Sequence, residues 1–509
     1  MYLFFVFHVI SIDGIKFLAQ TECFKQGDFV KGLEFAFHPL YPITIAIFSH
    51  FIHDTQLAAQ LISIISGSLL VIPVFFLGRK LFNHSIGFIT GLLVAFHPHL
   101  VRKSVDVLSE SLYILFFMMC IYIGWSAIKR GKSLLYFLAG AFGALAYLTR
   151  PEGLIALVGI GIWIFIIRLK ERSLSNKKVL TSLFLLLFGF TVFASPYLMY
   201  LRGETGHWTL TKKKSTLKLM GIDTNGDESS KIDKNNSNTE YSVKQNTKYL
   251  WNEDENIQQP PIHVYSGIRS ENLKRSYEFL SRLIDAFHPL LFLFCLIGIY
   301  ASRGIRRYDK AHLFVFSICI IYLLIAYSLL LNYGYISRRH LLPAIVMSLF
   351  WTAIGIQESQ RWRIKNILKP RESKYFRPKT IFTFMVIFTV VFLLPKTLKP
   401  QRVEKIWIKE TAQWLQSISS KKPKILSHDP RIDYYAGGSG LLRIYHGLSF
   451  EDIKSFIQKH EADYIVLTPH EIAEIDGVSS FTAGHKRLEL IREFIDGKGW
   501  KQFVYEVRE

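Results

Sequence analysis

Long apolar runs dominate this sequence and restrict it to one broad class of fold. Half of the 509 residues are hydrophobic, and they gather in blocks close to the ~20 residues that a membrane-spanning helix needs. The sequence therefore predicts a mainly α-helical, polytopic membrane protein with about eleven spans. The predicted spans lie near 1–12, 57–78, 86–100, 107–128, 133–148, 152–168, 179–201, 283–301, 311–331, 340–357 and 379–395.

The excess of basic residues fits a membrane protein better than a nucleic-acid binder. The formal net charge is +21. Much of the excess lies in every second connection between predicted spans, and these connections fall on one face of the membrane. That face is cytoplasmic by the positive-inside rule, so no nucleic-acid partner is expected. The four cysteines show no CxxC spacing and no Cys/His pairing, which argues against a zinc site or a disulfide framework.

The predicted topology puts the bulky polar segments on the outer face. These are the loops 13–56 and 202–282 and the tail, which is expected to form a small α/β domain over 401–509 after a transmembrane domain over 1–400. Within the tail, helices are predicted at 404–418 and 450–460 and strands at 424–427, 464–467 and 503–507. Much of 222–258 is expected to be a mobile loop.

The first predicted span is short, with only about a dozen apolar residues where ~20 are normal. A short tilted helix and a true start upstream of Met1 are both open. A cleaved signal peptide is disfavoured, because no basic region precedes the apolar stretch and no small-x-small site follows it.

Four polar clusters recur at the outer ends of predicted spans. Charged groups in such places are costly unless they have a task, and acids and bases together suit a substrate with an anionic head that sits in lipid. The acids at 106 and 110 are four apart, so a helix would carry them on one face. The clusters contain Asp13; Asp106 and Glu110 in RKSVDVLSE; Arg150 and Glu152 in TRPEG; and Arg338, Arg339 and His340.

Four stretches accompany these clusters: HPLYP at 38–42, SESLY at 109–113, LTRPEGL at 148–154 and RRHLLP from Arg338. Together, the clusters and the stretches resemble the GT-C glycosyltransferases. Within them, the chain is most similar to relatives of dolichyl-phosphate-mannose protein mannosyltransferases and lipid A aminoarabinose transferases. The resemblance covers about 1–400. It implies an integral membrane enzyme that moves one sugar from a polyprenyl-phosphate carrier to a protein, lipid or glycan acceptor on the outer face.

The resemblance also implies roles for individual residues. An acid in the first external loop of that family serves as base or positions the acceptor, and this maps onto Asp13. Many members carry Asp-Glu there, whereas this chain has Asp13 and Gly14, which weakens the case for protein mannosylation more than the case for glycosyl transfer. His38, Tyr41 and Glu152, which lie in matching stretches, are expected near the substrate.

The chemistry of such a transfer needs the same residue types. A carboxylate takes the acceptor proton, a role for Asp13, and cations stabilise charge on the departing phosphate. A guanidinium matches phosphate oxygens, so Arg338 and Arg339 are the first candidates, with Arg150 and His340 as alternates. Asp106 or Glu110 would orient the acceptor or hold a divalent cation, although the sequence requires no cofactor. Attack opposite the phosphate predicts inversion.

Each of these residues also has an ordinary structural explanation. Asp13 could cap a helix, Glu110 could be a first-turn acid favoured by the helix dipole, and Arg150 could belong to a helix start with a local ion pair. Arg338 and Arg339 could extend to lipid headgroups. His38 could be an interfacial turn residue.

Two other functions compete with the transferase. A transporter or flippase of lipid-linked saccharide would show paired halves with interrupted helices and mid-membrane charges, whereas here the charges cluster at one face and no repeat is evident. A non-catalytic assembly or polysaccharide-binding protein leaves the acids and arginines at the mouths of separate spans unexplained. The expected location is the plasma membrane of a bacterial cell, with the catalytic face and the tail outside the cytoplasm.

Overall fold

The computed structural model describes residues 2–170, 176–212, 268–302, 309–366, 378–438, 461–469, 488–495 and 501–508, with a few single positions between 453 and 472. Two compact units share the chain. The helical unit comprises Thr21–Thr224 and Tyr265–Lys399. Within the described residues, the terminal unit comprises residues 2–20 and those from Pro400 onward. The predicted loop at 222–258 and most of the predicted helix at 450–460 lie outside the described residues.

The helical unit contains helices throughout its described length. Its first helix, Ile12–Lys25, begins in the terminal unit. The α-helices that follow are Phe29–Glu34, Leu40–Phe48, Thr55–Leu69, Val71–Leu81, His84–Phe96, Pro98–Ser104, Glu110–Arg130, Ser133–Thr149, Leu154–Lys170, Asn176–Thr205, Ile268–Phe287, Pro289–Ser302, Asp309–Tyr333, Leu342–Asn366 and Pro378–Leu398.

Six helices among the described residues are long and apolar enough to cross a membrane, or up to eight if each bent pair counts as one span. Two pairs are bent, by 57° between His84–Phe96 and Pro98–Ser104 and by 100° between Leu273–Phe287 and Pro289–Ser302. The segments Ser133–Thr149 and Pro151–Ile167 are apolar but shorter. The membrane class and the mainly helical fold are therefore established, while eleven spans remain a prediction.

The predicted first span is wrong in its secondary structure. Only Tyr2–Phe5 is helical within residues 2–11, and the next helix begins at Ile12. Asp13 consequently lies within the first turn of a helix and not in a gap after a span. The predicted span at 283–301 is interrupted, because the chain turns sharply at His288, whose φ of 76° is left-handed.

Glycine pairs bring helices of the helical unit into close contact. A Cβ at Gly298 would overlap the Trp351 carbonyl, and a Cβ at Gly355 would overlap the Phe294 carbonyl, so the two backbones touch at a reciprocal pair. Gly140 meets the backbone of Leu186 in the same way. The glycine-rich run at 133–148 therefore serves close packing, as its composition indicates.

The terminal unit holds the small α/β domain that the sequence predicts. Its sheet contains four strands: β1 Ile425–Ser427, β2 Tyr464–Leu467, β3 Leu488–Ile495 and β4 Lys501–Val507. Their order is β1-β2-β4-β3, with β1 parallel to β2 and the other pairs antiparallel. The helix Ile406–Ile418 buries Ile408, Ala412 and Leu415 against one face. Strand β3 and the short helix Arg431–Tyr435 were not predicted.

The division into units differs from the predicted domains at one point. Residues 1–20 belong to the same compact unit as the tail, although the sequence suggested that they start the membrane domain. Their contacts with the tail include the backbone groups of Val9 and Ile10, which bond to side chains beyond residue 400.

Candidate active site

Glu110 is the buried centre of a charged cluster in the helical unit. It is the first residue of the helix Glu110–Arg130, where the helix dipole favours an acid, and only 2% of its side chain is exposed. Its Oε1 accepts a hydrogen bond of 3.0 Å from Arg150 Nη1. Its Oε2 is buried and has no hydrogen-bond partner among the described residues. One carboxylate oxygen of Glu110 is therefore buried and unbonded among the described residues.

The sequence around Arg150 explains why this arginine reaches Glu110. The helix Ser133–Thr149 ends where Pro151 forces the preceding residue to be extended, and Arg150 has φ −154° and ψ 139°. A 3₁₀ turn then brings Glu152 back, so that its oxygens lie 3.2 and 3.4 Å from Arg150 Nη2 and Nε. A Cβ at Gly153 would overlap the backbone of Ala146, so the turn needs glycine there.

Two carboxylates keep Arg150 charged. Burial alone would lower its pKa, but Glu152 and Glu110 outweigh that effect and hold the pKa above its ordinary value. The ring of Tyr113, one helical turn after Glu110, lies 5.8 Å from the Arg150 guanidinium carbon. Tyr113 lies in the SESLY stretch, but the sequence pattern did not indicate a role for its ring.

The adjacent Arg338 and Arg339 diverge to different acids. Arg339 Nε lies 3.7 Å from Glu110 Oε1, while Arg338 pairs with Asp285, whose other oxygen lies 3.6 Å from Lys396 Nζ. Asp285 and Lys396 were missed because nothing at the sequence level links them to the double arginine.

His340 holds the turn that carries these two arginines. Its Nδ1 accepts a hydrogen bond of 3.3 Å from the Ser337 backbone N–H, which completes a capping box. The structure thus gives His340 a local structural contact, and a contact with donor phosphate stays a prediction.

Asp106 lies in a non-helical segment, so the expectation that it shares a helix face with Glu110 is wrong. It is fully buried, and its Oδ1 accepts from the Val107 N–H at 3.0 Å. Gln60 and Ser63 hold the same segment through the Val105 and Leu108 carbonyls. The Val105 and Leu108 carbonyls are thus bonded to side chains, and the helix begins only at Glu110.

His38 and Tyr41 are buried among protein groups. The His38 ring packs against the rings of Tyr147 and Tyr197 at 5.1 and 5.2 Å between centroids. The Tyr41 hydroxyl lies 2.9 Å from Ser63 Oγ and donates to the Ala59 carbonyl. Both therefore have a packing role, and contact with substrate stays a prediction for each.

Asp13 belongs to the terminal unit and is described there. It is partly buried in the first turn of the helix Ile12–Lys25. The Gly14 N–H bonds to Ser11 Oγ at 3.1 Å, so the cap at this helix start is supplied by Ser11. The capping explanation for Asp13 loses its main support.

A metal centre is not evident in the part of the chain that the structure describes. No group of three or more His, Cys, Asp or Glu side chains there is arranged to hold an ion. The divalent cation considered for Asp106 or Glu110 stays untested.

Comparison with known proteins adds a family match over part of the chain and a similarity in fold. The dolichyl-phosphate-mannose-protein mannosyltransferase family model matches residues 38–200, which include Glu110, Arg150 and Glu152. No curated protein matches significantly.

Solved structures similar to this chain cover most of it at low sequence identity. ArnT from Cupriavidus metallidurans in the apo state has 12% identity and a TM-score of 0.57, over 99% of this chain and 95% of its own. ArnT bound to undecaprenyl phosphate gives 10% identity and 0.56, over 99% and 95%. The Archaeoglobus fulgidus oligosaccharyltransferase in the apo form gives 13% and 0.50, over 85% of this chain but 62% of its own length.

Proposed function

We propose that this chain, which has the fold of the GT-C glycosyltransferases, is a membrane enzyme that transfers one sugar from a polyprenyl-phosphate donor to an acceptor on the outer face. The resemblance drawn from the sequence is confirmed for the fold. The observation that carries the proposal is the buried Glu110–Arg150–Glu152 cluster with Arg339 beside it, most of which lies within the stretch that matches the mannosyltransferase model.

The charges of this cluster suit a transfer from a phosphate ester. Glu110 and Glu152 balance Arg150 and Arg339. The donor phosphate, which gains a second negative charge as it leaves, would therefore have to draw one cation away from a carboxylate. Arg339 is the better candidate, because its 3.7 Å contact is longer than the 3.0 Å contact of Arg150 and its side chain is 29% exposed. Arg338, the neighbour of Arg339 in the chain, and Lys396, which shares Asp285 with Arg338, would add positive charge.

The proposed reaction is a single displacement. The acceptor hydroxyl oxygen attacks the anomeric carbon while the bond from that carbon to the phosphate oxygen breaks. The hydroxyl proton goes to the Asp13 carboxylate, and the polyprenyl phosphate leaves with the bonding electron pair. Glu110 Oε2 would accept a hydrogen bond from a hydroxyl group and so orient a sugar or acceptor. Attack on the side away from the phosphate inverts the anomeric centre.

Reconstitution tests this function directly. Proteoliposomes with the full chain would be supplied with a panel of radiolabelled polyprenyl-phosphate sugars and cell-envelope acceptors, and labelled products identified. Transfer from at least one donor is expected, with loss in Asp13→Asn and Glu110→Gln and retention in Glu204→Gln, an exposed acid 3.8 Å from Lys212. Wild-type turnover in Asp13→Asn would contradict the base role.

The same assay addresses cofactors. The proposal assigns charge stabilisation to guanidinium groups and includes no metal step, so activity should persist in excess EDTA. Loss in EDTA that Mg²⁺ or Mn²⁺ restores would overturn that assignment.

One observation favours the transporter alternative. The two bent helix pairs break at the sequence Ala-Phe-His-Pro, at 95–98 and 286–289, which also occurs at 36–39. His97 Nε2 lies 3.2 Å from the Phe287 carbonyl oxygen. Broken helices that meet are common in transporters. Movement of a fluorescent lipid-linked sugar between leaflets without covalent transfer would favour this alternative over the transferase.

A further inference from the structure

The segment before Asp13 is buried without secondary structure of its own. Residues 7–11 are neither helix nor strand, yet Val9 and Ile10 are both 0% exposed. Buried peptide groups need hydrogen-bond partners. Because no ladder or helical turn can supply them here, side chains from elsewhere must.

Those partners come from residues beyond 400 in the same compact unit. The Tyr435 hydroxyl accepts from the Ile10 N–H at 2.9 Å, and Arg431 Nη1 donates to the Ile10 carbonyl at 3.3 Å. Arg402 Nη1 donates to the Val9 carbonyl at 2.9 Å. One short helix therefore bonds both the backbone N–H and the backbone carbonyl of Ile10, since Arg431 and Tyr435 are four residues apart and share a face.

Burying the charged side chain of Arg431 costs folding free energy unless its N–H groups are bonded. It is 1% exposed, and an arginine buried to that degree must have its donors satisfied. Its Nε and Nη2 bond to the Asp429 carboxylate, at 2.8 Å for Nε, which leaves Nη1 for Ile10. The ion pair with Asp429 fixes the guanidinium, and the guanidinium in turn fixes the Ile10 carbonyl.

The clamp on Ile10 lies three residues before Asp13. Ser11 follows at once and caps the helix through the Gly14 N–H, so little slack separates the clamp from the first helical turn. We propose that Tyr435 and Arg431 are positioning residues, which set the location of Asp13 by holding the Ile10 peptide. The inference rests on the proposed function for the role of Asp13, and it gives the α/β domain a task in the reaction.

Amide exchange in the full-length protein tests the clamp without any sugar substrate. Tyr435→Phe keeps the ring and its packing on Tyr434 but removes the acceptor of the Ile10 N–H. Hydrogen exchange at Ile10 should accelerate about tenfold or more, with little change in strands β1 and β2. Tyr464→Phe removes a hydroxyl from the sheet of the same domain and should leave Ile10 unchanged. Unchanged exchange at Ile10 in Tyr435→Phe would overturn the proposal.

Kinetics then separate positioning from general destabilisation. In Tyr435→Phe, kcat should fall about tenfold with the donor KM and melting temperature near those of the wild type, because a misplaced base slows proton removal and leaves donor binding intact. An equal kcat in Tyr435→Phe and Tyr464→Phe, with faster exchange at Ile10, would overturn the positioning role. Full transfer in Asp13→Asn would instead defeat the proposed function, and the exchange result would still report on the clamp.

Discussion

Glu110 and Arg150, which are 40 residues apart in the chain, meet through a 3.0 Å hydrogen bond between Oε1 and Nη1. The carboxylate is 2% exposed and the guanidinium 13%. Each partner starts or ends a helix, so two helix termini are tied together by charge. The second oxygen of Glu110 is buried and lacks a hydrogen-bond partner among the described residues. The pair therefore joins two helix ends and leaves one carboxylate oxygen unbonded.

Removing Arg150 should destabilise the protein through Glu110. In Arg150→Met the buried carboxylate loses its closest cation, and breaking such a pair costs about 3–5 kcal/mol. The melting temperature and folded yield in detergent should fall accordingly. The measurement is thermal unfolding of the purified variant beside the wild type.

The double variant Arg150→Met/Glu110→Gln serves as its control. It removes the buried charge together with its partner, so stability should return most of the way while transfer stays absent. If the double variant is as unstable as Arg150→Met, the loss reflects packing of the arginine and not the orphaned charge.

Arg339 should contribute to donor use more than to stability. Its contact with Glu110 is 3.7 Å and its side chain is partly exposed, so Arg339→Ala is expected to cost less than about 1 kcal/mol of stability. The donor KM should rise about tenfold or more, as expected for a lost contact between a guanidinium and phosphate. Arg282→Ala is a matched control, because Arg282 makes an exposed pair with Glu278. Equal KM values for the two variants would remove Arg339 from the phosphate site.

The sequence was a good guide where one element decides the outcome. Most helices of the helical unit, the glycine-rich run and strand Tyr464–Leu467 follow from local hydrophobic patterns. The residues of the Thr-Arg-Pro-Glu-Gly stretch also determine its local backbone geometry, since Pro151 ends one helix and the turn brings Glu152 to Arg150. The cluster around Arg150 could therefore be anticipated from neighbouring residues.

Contacts between distant segments were beyond such reasoning. Nothing in the sequence pairs Arg338 with Asp285, or Ile10 with Tyr435, because neither pair belongs to one periodic element. The apolar start misled for a physical reason: Val9 and Ile10 are apolar because they are buried against the α/β domain, and not because a helix continues through them. The prediction that Asp106 shares a helix face with Glu110 was wrong because side chains bond to the Val105 and Leu108 carbonyls, and the helix begins only at Glu110.

Close helix contact predicts a strong effect at Gly355. A Cβ there would overlap the Phe294 carbonyl of the neighbouring helix, so Gly355→Ala should separate the helices and cost about 1–3 kcal/mol. Gly203→Ala is the control, because a Cβ at that helical position meets nothing within 4 Å and alanine favours helix. Thermal unfolding in one detergent compares them. A melting temperature for Gly355→Ala at or above that of Gly203→Ala would contradict the close contact.

Asp433 should make the stability of the α/β domain depend on pH. The side chain is 2% exposed, and its Oδ1 has no partner among the described residues. Burial raises its pKa to about 7, above the ~3.9 of an unfolded chain. Between those values the folded state binds more protons than the unfolded state, so stability falls as pH rises from about 4 to about 7 and is flat above. The loss amounts to about 4 kcal/mol.

Asp433→Asn should remove this dependence. The amide has nearly the shape of the protonated acid and carries no charge, so the variant should be more stable than the wild type at pH 8 and should exceed it by a smaller margin at pH 5. Exchange of the β1 and β2 amides, corrected for its intrinsic pH dependence, measures the difference. Glu410→Gln, at an exposed position on the helix Ile406–Ile418, should follow the wild type at both pH values. A wild-type domain that is equally stable at pH 5 and pH 8 would show that Asp433 does not titrate in this range.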